Sequence, residues 1–121
     1  MVREGQLWKA DRHGARWKRR WACVCPEKLY YFASDSQAHE AKGEGNMELY
    51  KPGIDLHMCT VVIQKKSPND KVPSGCFPFT LQCGSRKFWF AATSTMERRV
   101  WVTMLCQITQ ESPEVVLEGV E

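Results

Sequence analysis

The chain has 121 residues, 43% of them hydrophobic and 26% charged, which fits one globular domain and excludes wholesale disorder. Its apolar stretches, such as Trp21–Cys25 and Phe88–Ala92, are far shorter than the roughly 20 residues of a bilayer-spanning helix, and the charged N-terminus has no apolar leader, so neither a membrane span nor a signal peptide is expected. The net charge of +3 is uneven: residues 1–20 carry Arg3, Lys9, Arg12, Arg16, Lys18, Arg19 and Arg20 against Glu4 and Asp11, whereas residues 110–121 hold four glutamates and no base.

Residues 5–10 are expected to be a short strand with Leu7 and Lys9 on one face and Trp8 on the other. The polar stretch Asp11–Arg16, centred on Gly14, reads as a turn. Trp17–Cys25 then alternates, with Trp17, Arg19, Trp21 and Cys23 on one face and Lys18, Arg20, Ala22 and Val24 on the other, so the first two strands form a hairpin. After Pro26-Glu27, the aromatic run Lys28–Phe32 is a third strand. Residues 34–46 are polar without apolar periodicity and read as a loop. Met47–Tyr50 reads as a short strand stopped by Pro52-Gly53, and the β-branched run His57–Gln64 as a fifth strand. Residues 65–75, with two prolines, form a loop, and Cys76–Cys83 and Lys87–Ala92 are two more strands around Gly84-Ser85-Arg86.

The period then changes. Ser94 and Glu97 have the spacing of a capping box, and Trp101, Leu105 and Ile108 follow at helical spacing, with Val100 and Met104 beside them. This predicts one amphipathic helix lying over the open end of the strands, with Arg98, Arg99 and Gln107 mostly outside its apolar stripe. Pro113 and the run of glutamates predict an acidic tail or linker over residues 110–121. The fold class is therefore mainly β with one α-helix: a seven-stranded antiparallel sandwich or partly open barrel capped by a C-terminal amphipathic helix.

The six cysteines, Cys23, Cys25, Cys59, Cys76, Cys83 and Cys106, fall mostly within apolar runs and include no Cys-x-x-Cys pair. His13, His39 and His57 stand in separate segments, so no metal site is expected. Without a signal peptide, reduced cytosolic thiols are the expectation.

Seven strands followed by a helix with a central tryptophan resemble the pleckstrin homology (PH) domain. The resemblance covers residues 3–109, placing a PH domain over residues 1–109. Arg3-Glu4-Gly5 with Leu7 looks like the family's opening strand, Trp17-Lys18-Arg19-Arg20-Trp21 like its second and Leu29-Tyr30-Tyr31-Phe32 like its third. Trp101 sits where the family packs its helix onto the sandwich. Lys9, Lys18 and Arg20 fit the family's phosphoinositide signature, Lys-x(n)-Lys/Arg-x-Arg. On a strand, Lys18 and Arg20 share a face about 6.5 Å apart, and the hairpin brings Lys9 alongside. Arg12, His13 and Arg16 join from the turn, and together these make a cup for an inositol phosphate headgroup. By resemblance Tyr31 donates its hydroxyl from the third strand. Lys42 joins from the loop before the fourth strand, diluted by Glu40 and Glu44, and Arg86 and Lys87 are the only further contacts offered by the last turn. Arg19 points to the other face.

The resemblance implies a module, acting without a cofactor, that recruits a larger signalling, adaptor or GTPase-regulating protein to a membrane. It would be cytoplasmic, peripherally membrane-associated and monomeric as an isolated domain. The alternative is a protein-interaction module of the same fold, engaging for instance a small GTPase. No Gly-rich phosphate loop, carboxylate pair or Ser/His/Asp arrangement points to an enzyme, and no recognised motif points to nucleic acid.

Overall fold

The computed structural model describes residues 2–63 and 72–118. β1 (Arg3–Ala10) and β2 (Trp17–Val24) pair antiparallel along their whole length, from Arg3 opposite Val24 to Ala10 opposite Trp17. β3 (Lys28–Phe32), β4 (Ile54–Asp55), β5 (Cys59–Val62), β6 (Phe77–Cys83) and β7 (Arg86–Ala92) complete one antiparallel sheet. The strand order is β4-β3-β2-β1-β7-β6-β5. β4 and β5 stand at its two ends, so among the described residues the sheet curls into an open barrel and does not close. The expected seven-stranded architecture is what the chain forms.

Strand alternation decides what lies inside. Leu7, Ala22, Val24, Leu29, Val61, Phe79, Leu81 and Phe90 point inward and share one core. Helix α2 (Thr95–Thr109) closes one end of the barrel. Ser94 caps it, its Oγ accepting from the Glu97 amide at 3.0 Å. Trp101 drives the helix onto the sheet and is 1% exposed; truncating a tryptophan so buried costs about 3–5 kcal/mol. The buried stripe runs through Arg98, Trp101, Val102, Leu105 and Cys106, turned slightly from the expected line through Ile108. Arg98 lies inside it, its guanidinium 5.5 Å over the Phe77 ring, because an arginine stem packs like a hydrocarbon.

Four local expectations are corrected. Residues 34–46 are not simply a loop, since Asp35–Gly43 form helix α1. The Ser34 hydroxyl accepts from the Gln37 amide, the Gln37 side chain accepts from the Ala33 amide, and Ala38 and Ala41 bury against Cys23 and Phe32 on the outer face of β2 and β3. Met47–Tyr50 is not a strand; β4 forms only beyond Gly53, and a single 3₁₀ turn, Leu56–Met58, precedes β5. A Cβ at Gly53 would lie 2.6 Å from the Tyr30 ring, so any larger residue there would force that ring to move. The acidic tail also folds: Ser112 caps helix α3 (Pro113–Leu117), Leu117 enters the core, and the Glu111 carboxylate accepts from the Val61 amide on edge strand β5 at 2.8 Å. Finally, Cys59 and Cys83, facing each other across β5 and β6, form a disulfide, so the expectation of six free thiols holds for Cys23, Cys25, Cys76 and Cys106 alone. Gln64 and the proline loop up to Lys71 lie outside the described residues, as does the chain beyond Glu118.

Candidate functional site

At the end of the barrel away from α2 the inward face of the first hairpin stops being apolar. Leu7 and Ala22 give way to Lys9, Lys18 and Arg20. Lys9 stands directly opposite Lys18 in the ladder, and Arg20 opposite Leu7. Two like charges facing across a strand pair destabilise it unless an anion lies between them. These residues line an open cavity of about 370 Å³ whose other walls are Arg12 and Arg16 of the β1–β2 loop, Tyr31 of β3, Lys51 before β4 and Arg86 of β7. Among the described residues Asp11 is the one carboxylate lining it. Among the described residues none of these lysines and arginines forms an ion pair with a carboxylate.

The loop is shaped by Asp11. Its carboxylate accepts from the Ala15 amide at 3.0 Å and the His13 amide at 3.2 Å, and the Asp11 amide donates to the Arg16 carbonyl. The backbone amides facing the carboxylate, Ala15's first, hold its carboxyl below the usual range, so its charge organises the loop. Gly14, at φ +73°, takes the left-handed backbone this turn requires, and a Cβ there would lie 3.5 Å from the Trp89 ring.

Lys9 sits deepest. Its ammonium lies 4.6 Å from the Tyr31 ring centroid and 5.8 Å from that of Phe88, and donates to the Ala10 carbonyl at 3.1 Å. Burial first, then the charges of Lys51, Arg86 and Arg20, push it down to about 8. Lys51 approaches the same Tyr31 ring at 5.3 Å, and Arg86 covers Phe88 at 4.4 Å, so aromatic faces position three of the cations.

Of the residues expected from the sequence, Lys9, Arg12, Arg16, Lys18, Arg20 and Tyr31 converge on this cavity. His13 is at the exposed tip of the loop and does not line it. Lys42 does not reach it: it projects from α1 on the opposite side of the sheet, where its ammonium is 2.7 Å from the Glu4 carboxylate that also accepts from the Trp21 indole. Those two bonds, Lys42's first, hold Glu4 below its usual range. Arg19 likewise faces outward, over Trp8 at 5.2 Å. Lys51 was not anticipated, and nothing in its local pattern announces it beyond its place just before Pro52-Gly53.

Comparison with known proteins places this geometry in a family. The PH domain family model matches residues 1–110, and the chain belongs to the PH domain family. Src kinase-associated phosphoprotein 1 from Homo sapiens is 27% identical over 109 residues, which is 87% of this chain and 27% of that protein. Differentially expressed in FDCP 6 homolog from Danio rerio is 27% identical over 105 residues, 87% of this chain and 15% of that one. The chain thus spans about a quarter or less of the length of these relatives. Among solved structures, the C-terminal PH domain of human FYVE, RhoGEF and PH domain containing protein 3 superposes with a TM-score of 0.64 at 18% identity, covering 93% of this chain and 90% of that one.

Proposed function

We propose that this PH domain binds the phosphorylated inositol headgroup of phosphoinositides in the cup between Lys9, Lys18 and Arg20, and so brings the larger protein that carries it to a membrane surface. The observation that carries this reading is the convergence of cations that form no ion pair among the described residues, with Lys9 facing Lys18, around a cavity where Asp11, already engaged by the loop amides, is the carboxylate among the described lining residues. Arg20 can fork two oxygens of one phosphate while Lys9 and Lys18 act as point charges. Arg12, Arg16, Lys51 and Arg86 supply the walls, and the Tyr31 hydroxyl is offered from β3. An anion here relieves the repulsion between the cations and restores the Lys9 proton, so affinity falls as pH rises through about 8. Each basic group near an anionic surface adds about 1 kcal/mol to membrane recruitment.

A protein-binding reading has one observation in its favour, an exposed face of α2 lined by Met96, Val100 and Met104. Liposome co-sedimentation across a phosphoinositide panel at physiological salt separates the two. The headgroup reading expects binding to one or a few phosphoinositides, lost in Lys18→Ala/Arg20→Ala with the fold retained by circular dichroism. Equal sedimentation with every acidic lipid would reduce the cup to a charged surface, and no binding would turn the assignment to a protein partner.

A further inference from the structure

Lys9 differs from the other cup cations in chemistry as well as position. Its amine is half-buried between two aromatic rings, yet it lines an open cavity and is reachable by a small molecule. The charged groups facing it are Lys18 and Arg20 from β2, Lys51 from the segment before β4, Arg86 from β7 and, against these, Asp11. No carboxylate is ion-paired with it among the described residues. We propose that Lys9 is a covalent modification site, acylated by small donors that carry a phosphate leaving group. The inference rests on the anion-attracting cup of the preceding reading but asks for no lipid.

The surrounding cations hold the donor's phosphate and leave its carbonyl carbon beside the Lys9 Nζ. The lone pair of the neutral amine forms the N–C bond. The C–O bond to phosphate breaks, its electron pair leaving as inorganic phosphate, which takes up the proton shed by the amine. With its pKa near 8, about a quarter of Lys9 is neutral at pH 7.5, against about a thousandth of an ordinary lysine. Lower basicity gives back part of that gain, leaving about a tenfold advantage before the cup's attraction is added. The amide product carries no charge, so acylation would switch off the central cation of the headgroup site.

The test treats the full chain with acetyl phosphate at pH 7.5 and follows each lysine by site-resolved mass spectrometry. Lys9 should be acetylated at least about tenfold faster than Lys28 and Lys42. Inositol hexakisphosphate should abolish the lead, and Lys9→Arg should remove the signal. The proposal is overturned if Lys9 reacts no faster than Lys28, or if its lead survives inositol hexakisphosphate. Slow reaction at Lys9 in a chain that still sediments with phosphoinositide vesicles sinks this inference alone. Fast reaction in a chain that binds no vesicle supports it and removes the lipid reading.

Discussion

Arg3 and Lys9 stand on the same face of the same strand, about 20 Å apart, at the two ends of the barrel. At the closed end Arg3 is answered: its guanidinium is 3.0 Å from the Glu97 carboxylate and 5.1 Å over Trp101, and α2 covers both. At the open end Lys9 lies against aromatic faces and a carbonyl and, among the described residues, forms no ion pair, while Lys18, Arg20, Lys51 and Arg86 gather around it. The outer face of the hairpin resembles the closed end in pairing Lys42 with Glu4. A count of basic residues does not distinguish these regions. What distinguishes them is whether an ion pair is formed, and among the described residues the cations of the open end form none.

The largest way to break this contrast is to remove the open-end charges. Lys18→Ala/Arg20→Ala should weaken calorimetrically measured binding of a soluble inositol polyphosphate by about 100-fold, two charge-assisted contacts being lost, whereas Arg19→Ala on the outer side of the same strand should change it less than about twofold. Lys9 sharpens the contrast through pH. Its folded pKa, near 8, lies below the ordinary value of about 10.4, so the unfolded chain holds more protons between those pH values. Stability should therefore rise as pH climbs from about 8 to about 10.4, and the cost of the buried charge is fully present below 8. Lys9→Met should raise urea-unfolding stability at pH 7 by about 1–2 kcal/mol, discounted for partial exposure, and flatten the profile in that window. Lys51→Ala should lower headgroup affinity about tenfold, and Lys42→Ala should leave it unchanged. At the closed end, Glu97→Gln breaks a half-exposed pair and should cost less than about 1 kcal/mol of stability with no effect on binding.

Much of the barrel was legible in the sequence because its signals are local. Alternation through Trp17–Val24 marked which side chains face inward, and the Ser94–Glu97 spacing marked where α2 begins. Helix α1 escaped because its buried stripe is only Ala38 and Ala41, too small to register as periodicity, although Ser34 and Gln37 repeat the Ser94–Glu97 spacing. Helix α3 escaped because a proline among glutamates carries no apolar period, although after a capping serine Pro113 occupies the first helical turn, where its missing N–H costs nothing. The site divided along the same line. Lys9, Lys18 and Arg20 follow from one hairpin, while Lys51 arrives by an irregular segment and Lys42 was misplaced because α1 carries it to the far face. The Cys59–Cys83 pairing depends on the β5–β6 register, which cysteine spacing alone does not reveal.

The most direct test of an unanswered open end is a two-dimensional ¹H–¹⁵N NMR titration of the chain with a soluble inositol polyphosphate. The account predicts amide shifts concentrated at Lys9, Asp11–Lys18, Arg20, Lys51 and Arg86, with Glu4, Trp21 and Lys42 unmoved. Shifts centred on the outer patch around Trp21 and Lys42, or spread evenly over every basic residue, would contradict it.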